Sequence, residues 1–297
     1  MIKGFKDIDE LAAKLKPIRL AALAAHEAEF LLTIKIARER GYIEPVIIGG
    51  GDRLKRAADE TGLDLTGIEI IEADNPQVIA DTGLGMFFQG DVDIAMKGHI
   101  PTAYVYRAII KQEKARGKKA NIAVNTLWNI PGAGHLATIT DTGVSIKPDL
   151  ETKRQIVKDA VHLMHLFNYK EPRVLILAFG AAPMEDAQTL REDAAKGLFG
   201  NCAVLPGTSL WDAMPSCIEK GIKADRKQAP HIFLVPHLDA GNILSKLDFI
   251  LDVTRRSLVM TSKGPVIIPS RSDSHTTIVG EVALGAVVAH LHRRAAG

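Results

Sequence analysis

Three stretches of this chain place a cation, hydroxyls or a glycine where an apolar run gives way to a helix-like pattern. Ser270-Arg271-Ser272-Asp273-Ser274 follows the short run Val266 to Ile268. Lys97-Gly98-His99-Ile100-Pro101-Thr102 follows Val92 to Met96. His237-Leu238-Asp239-Ala240-Gly241-Asn242-Ile243-Leu244-Ser245-Lys246 follows His231 to Pro236. A guanidinium offers paired N–H donors to phosphate or carboxylate. A helix N-terminus adds backbone N–H groups and a favourable dipole. Lys97, Thr102, Ser270, Arg271 and Ser274 are thus candidate anion ligands. In the third stretch Asp239 is placed to cap a helix, Gly241 allows close backbone approach, and Asn242 and Lys246 lie four apart on one helical face. A polar turn around a surface arginine, or a surface lysine beside a capping threonine, has the same composition. The recurrence of one pattern at separate strand ends favours the ligand reading.

The elements that must position these residues follow from the spacing of apolar positions. Strands are expected at Ile18–Ala24, Pro45–Ile48, Gly67–Ile71 and Val92–Met96, alternating with helices. Two further strand-like runs, Ala120–Val124 and Leu136–Thr140, follow a basic loop, Lys111–Lys119. The loop reads as a solvated face or as an attractor for a polyanion. A second series begins with a helix near Leu150–Phe167. Strands are then expected at Arg173–Phe179, Cys202–Leu205, His231–Pro236, Ser257–Met260 and Val266–Ile268, with helices at 186–197, 209–220, 240–251 and 275–293. Such alternation predicts βαβ units and a mostly parallel sheet covered on both faces, hence an α/β fold of doubly wound type. The triple glycine at 49–51 lacks GxGxxG spacing and reads as a turn.

A length of 297 residues points to two domains. Without a Pro/Ser-rich linker, two closely joined domains around a cleft are expected. Formal net charge is +2 with both signs interleaved, which offers no electrostatic case for nucleic acid or an anionic membrane. No apolar run approaches the length of a membrane span, and the charged N-terminus lacks the apolar core of a signal peptide. Two cysteines, Cys202 and Cys217, without CxxC spacing imply a reducing, cytoplasmic setting and no disulfide framework.

Taken in order, Met96-Lys97-Gly98-His99 and Thr102, Asp141 and Pro148, Lys220-Gly221-Ile222, Val235-Pro236 with Ala240-Gly241-Asn242 and Lys246, and Pro265 with Ser270-Arg271-Ser272-Asp273-Ser274 resemble the phosphate acetyltransferase/phosphate butyryltransferase family over roughly residues 92–285. The Ser-Arg-x-Asp-Ser form resembles the butyryl branch more. The resemblance implies two α/β domains of isocitrate/isopropylmalate dehydrogenase-like architecture, residues 1–144 plus 275–297 and residues 145–274. A homodimer is implied as well. The implied reaction exchanges a short- or medium-chain acyl group between coenzyme A and phosphate. Coenzyme A is then a substrate, with no tightly bound cofactor and no metal.

In that reaction Arg271 and Lys97 would hold phosphate, with helix N-termini near Thr102 and Ser274. Ser270 and Asn242 would stabilise the carbonyl oxygen as it gains charge. Gly98, His99, Asp141, Asp239, Gly241, Lys246 and Asp273 complete the implied phosphate and CoA set.

The departures concern acyl and thiol handling. Asn125-Thr126 stands for the family's Ser-His, Leu177-Ala178-Phe179-Gly180-Ala181 for Leu-Ser-Ala-x-Glu, and Gly207-Thr208-Ser209-Leu210-Trp211-Asp212 for Gly-Pro-Leu-Ala-x-Asp. His237 and Leu238 begin a stretch that is Asp-Ile-Glu-Ala-Gly-Asn in the family. Thr277 lies near the place of the acetyl branch's thiol base. His275 is the replacement base by chemistry, and a first-turn surface histidine by the plainer reading. Trp211 is an acyl-pocket or a core residue. A diverged protein that binds CoA or an acyl phosphate without turnover is the alternative. A dehydrogenase of phosphorylated substrates would need an acidic metal cluster and a nucleotide loop, and the sequence offers neither.

Overall fold

The computed structural model describes residues 1–118, 122–209, 229–251 and 253–296. In chain order the elements are α1 Phe5–Ala12, β1 Ile18–Leu23, α2 Ala28–Glu39, β2 Ile43–Ile48, α3 Gly51–Thr61, β3 Glu69–Ile71, α4 Pro76–Gln89, β4 Ile94–Lys97, α5 Thr102–Ala115, β5 Val124–Asn129 and β6 Leu136–Thr140. There follow α6 Leu150–Leu166, β7 Arg173–Ile176, α7 Ala181–Ala195, β8 Ala203–Val204, β9 Ile232–Leu234, α8 Leu238–Ser245, α9 Asp248–Leu251, β10 Thr254–Met260, β11 Pro265–Ile267 and α10 His275–Ala296. The expected helix at 209–220, with Trp211, Cys217 and Lys220-Gly221-Ile222, lies outside the described residues in all but its first position. Among the described residues no helix is long and apolar enough to cross a membrane.

The chain forms two compact units, one of Ile8–Ala120 with Arg256–Gly297, the other of Met1–Asp7 with Asn121–Arg255. These limits differ from the expected 144 and 274. The strand after Gly264 is the reason on one side. Val266 pairs with Ala95 and Ile267 with Met96, in parallel, so β11 belongs to the sheet of β4 and not to the second unit.

In the first unit the strand order is β3-β2-β1-β4-β11-β10. All neighbours run parallel except β10 and β11, which are antiparallel. Ala21, Ala22, Leu23, Ala95, Met96 and Ile267 are buried, as expected of strands covered on both faces. Helix α4 begins at an Asn75 cap that accepts from Gln77 and Val78 N–H, with Pro76 in the first turn. It packs so closely that a Cβ at Gly83 would lie 2.1 Å from Leu23 Cδ2. Helix α10 also lies close against the sheet: a Cβ at Gly285 would meet Ile267 Cδ1 at 2.8 Å. Arg256 makes a bidentate pair with Asp9 at 2.7 and 2.9 Å. The stretch expected as a basic loop is mostly the end of α5, where Lys111 pairs with Asp81 at 2.9 Å.

In the second unit the order is β5-β6-β9-β7-β8, parallel apart from the β5–β6 hairpin. The first strand of that hairpin starts at Val124, where the expected strand ended, because Thr126 to Asn129 pair with Leu136 to Ile139. Trp128, Ala137, Ile139 and Val235 form a core cluster covered by Ala240 and Leu244 of α8. Tyr169 ties the N-terminus to this sheet, accepting from Leu136 N–H and donating to Ile2 O, each at 2.9 Å.

Candidate functional site

β1 and β4 are parallel neighbours, so their carboxyl ends open side by side. Gly98 N–H donates to Leu23 O at 2.7 Å and His99 N–H to Ala24 O at 2.9 Å. A Cβ at Gly98 would stand 2.6 Å from both carbonyl oxygens, so only glycine fits. On the other side of β4, β11 delivers Ser270 to Ser274. That loop is braced internally. Asp273 accepts from Ser270 N–H at 2.7 Å, its own N–H donates to Ser270 O at 3.1 Å, and the Ser270 and Ser272 hydroxyls lie 3.1 Å apart.

A cavity of about 350 Å³ opens where these ends meet, lined among others by Lys97, His99, Arg271, Glu27 and Glu29. Lys97 is buried, and its ammonium donates to Gly98 O at 3.1 Å. Burial, then the Arg271 charge, hold its pKa below the usual lysine value, while Asp273, Glu27 and Glu281 oppose the shift. A bound anion would offset the Arg271 charge and favour the charged lysine.

Two glutamates from the segment after β1 hold two histidines, His99, which lines the cavity, and His275, which does not. Glu27 Oε1 lies 2.6 Å from His99 Nδ1. Glu29 Oε2 accepts from His275 N–H at 2.6 Å and lies 3.0 Å from His275 Nδ1. His26 stacks edge-on with His99 at 5.6 Å, and its Nε2 is buried without a hydrogen-bond partner. Burial first, and the neighbouring His99 and Arg53 next, lower the His26 pKa.

The structure thus joins Lys97, Gly98, His99, Ser270, Arg271 and Asp273 at one cavity. It changes the expectation for the helix ends. The first N–H of α10 is given to Glu29, and Ser274 Oγ accepts from Thr277 N–H at 3.4 Å. Thr102 opens α5 behind Pro101 and does not line the cavity.

The other candidates belong to the second unit. Asp141 is buried and accepts three backbone N–H groups, from Val124 and Gly143 at 2.9 Å and from Ser145 at 2.6 Å. Its carboxylate organises the loop after β6, which is a bracing role where a ligand role was expected. Gly241 is needed for packing, since a Cβ there would lie 2.3 Å from Asp141 O. Asn242 Nδ2 reaches Thr142 O at 3.5 Å. His237, and not Asp239, caps α8, accepting from Ala240 N–H at 3.4 Å. Asp239 and Lys246 are exposed. Asn125 is fully buried with both amide atoms unpartnered, while Thr126 and Thr142 hydroxyls meet at 2.8 Å.

Glu27, Glu29 and His26 were missed as site residues. His26-Glu27 reads as a polar turn, and nothing in its composition says that β1 and β4 are neighbours. Among the described residues no group of three His, Cys, Asp or Glu side chains could hold a metal ion.

The site is thus a buried lysine and an arginine at adjoining strand ends of an α/β protein. The comparisons refine this class. The family model described as "Phosphate acetyl/butaryl transferase" matches residues 77–195. The phosphate butyryltransferase of Clostridium acetobutylicum is 24% identical over 97% of this chain and 99% of its own length. The phosphate acetyltransferase of Rickettsia typhi is 29% identical over 91% of this chain and 84% of its own. A branched-chain phosphotransacylase from Enterococcus faecalis V583 superposes with a TM-score of 0.74 at 18% identity, covering 91% of this chain and 99% of that one. That likeness concerns the fold alone. The chain is similar to phosphate butyryl- and acetyltransferases; of the two named relatives it matches the Clostridium enzyme over more of its length and the Rickettsia enzyme at higher identity.

Proposed function

We propose that this chain exchanges a short- or medium-chain acyl group between coenzyme A and inorganic phosphate, giving an acyl phosphate and free coenzyme A. The observation that carries the reading is Lys97, buried at the end of β4 and facing a cavity shared with Arg271. Relatives named phosphate butyryltransferase and phosphate acetyltransferase support the reaction class.

In this reading Arg271 and Lys97 hold phosphate in a near-attack pose against the thioester carbonyl. The Ser270 hydroxyl donates to the carbonyl oxygen as it gains charge. His275, oriented by Glu29, exchanges the thiol proton, a task that Thr277 cannot perform without an ionisable group. Transfer is direct, with no acyl-enzyme. Coenzyme A is a substrate, and a cytoplasmic homodimer is proposed; light scattering on the purified protein checks the dimer.

The test is thiol release from a panel of acyl-CoAs with and without phosphate. Phosphate-dependent release is expected. Coenzyme A binding in a calorimeter without such release would replace this reading by a diverged binding protein.

A further inference from the structure

The cavity around Lys97 and Arg271 holds more carboxylates than cations: Glu27, Glu29 and Asp273 all line it. Asp273 is turned to the Ser270 N–H. Glu27 gives Oε1 to His99, and Glu29 gives Oε2 to both nitrogens of His275 that face it. No described residue donates to Glu27 Oε2 or Glu29 Oε1, and with their side chains 47% and 56% exposed these oxygens are open to a donor that enters the cavity. An ionised carboxylate can only accept. A fully deprotonated oxyanion can also only accept, so the two repel in one small cavity, the more strongly where water is displaced. The contact becomes attractive when a proton lies between them.

We infer that Glu27 and Glu29 read the proton on the bound oxyanion, making the site selective for a protonated tetrahedral anion over one of equal size that carries none. The inference rests on the placement of phosphate beside Lys97 and Arg271 proposed above. Inorganic phosphate keeps at least one proton throughout the neutral range, and sulfate keeps none. The same contact suits the reaction. As a phosphate oxygen bonds to the acyl carbon and the carbon–sulfur bond breaks, the hydrogen phosphate gives up its proton and the departing sulfur gains one. A carboxylate already bonded to the P–O–H group is in place to take that proton before it is returned to sulfur.

Histidines 99 and 275 define the competing arrangement. As imidazolium donors they would serve either anion without preference, and the anion preference of the native protein separates the two arrangements.

The test is equilibrium dialysis of the full chain at neutral pH against labelled phosphate and labelled sulfate. Native protein is expected to bind sulfate at least about tenfold more weakly, the scale of one charged hydrogen bond made or lost. In the double variant Glu27→Gln/Glu29→Gln the ratio should approach one, because a glutamine amide can donate to either anion. The amide introduced by Glu29→Gln retains an oxygen for the His275 N–H, and each single variant is measured beside the double. Equal binding of both anions by native protein overturns the inference without recourse to any variant. So does a native ratio that survives in a folded double variant. Arg271→Ala separates the two levels. Loss of both anions in every background upholds the placement, whereas unchanged phosphate affinity overturns the placement and the inference with it.

Discussion

Replacing Gly98 with alanine puts a methyl group 2.6 Å from two backbone oxygens, Leu23 O and Ala24 O. Ordinary contact begins near 3.4 Å, so each separation is short by about 0.8 Å. Neither oxygen is at the end of a flexible side chain. Both belong to the end of β1, and both accept N–H bonds, from Gly98 and His99. The loop after β4 must therefore move off β1 by a sizeable fraction of an ångström, stretching those two bonds. Overpacking of this kind costs about 1–3 kcal/mol. At about 2–4 °C per kcal/mol, Tm should fall by several degrees. Lys97 and His99 flank the shifted peptide, and a displacement near 1 Å at a reacting group can cost about 10²-fold in rate. Phosphate-dependent thiol release should fall between about tenfold and a hundredfold, with phosphate affinity falling too. Gly85→Ala is the internal control. It sits in α4 with nothing nearer than Gln112 Nε2 at 3.8 Å, so it should gain up to about 1 kcal/mol from helix propensity. A Gly98→Ala protein with native Tm and native phosphate dependence would refute the claim that β1 sets the position of the anion loop.

Asp141→Asn should cost about 1–3 kcal/mol, because an amide cannot accept all three N–H bonds now made to the carboxylate; Asp239→Asn, on the exposed face of α8, should stay within about 0.5 kcal/mol in the same urea titration. His231 is buried against Arg173 and His135, and burial first, then those charges, bring its pKa from 6.5 to about 3. The unfolded chain then binds the extra proton between those values, so stability is whole above pH 6.5 and falls progressively toward pH 3, by a few kcal/mol. Urea midpoints measured across that range should show the slope in native protein and a shallower one in His231→Asn. His275→Ala should lower phosphate-dependent thiol release by about 10²-fold or more, and unchanged turnover would dismiss it as the base.

Much of the first unit was legible because buried parallel strands are short, β-branched or alanine-rich, and punctuated. Ile18 to Leu23 and Ile94 to Lys97 stand out for that reason. The polar ends of β4 and β11 were legible from residue type alone as a candidate site, and they line one cavity. What the chain pattern does not carry is strand order. Without it Val266 to Ile267 reads as the last strand of the second half, and His26-Glu27 reads as a polar turn. Cap assignments failed on a finer scale. Asp239 is the better N-cap by propensity, but the chain enters α8 two residues earlier, which leaves His237 in the extended conformation that a cap needs. Asp141 shows a different ambiguity: a carboxylate after a buried strand serves equally well as a ligand or as the acceptor for a tight loop's N–H groups, and here it accepts three of them.

The pairing of β4 with β11 has a consequence for biosynthesis. Lys97 leaves the ribosome long before Arg271, with the whole second unit beyond its first few residues made in between. Until Val266 and Ile267 emerge, the Ala95–Met96 flank of β4 has no partner strand, and helix α10 is not there to cover it. An unpaired apolar strand edge is a template for association between chains. A message truncated anywhere between the two segments should thus yield an insoluble product, and the final α10 segment acts as the closing piece of a sheet begun at residue 18.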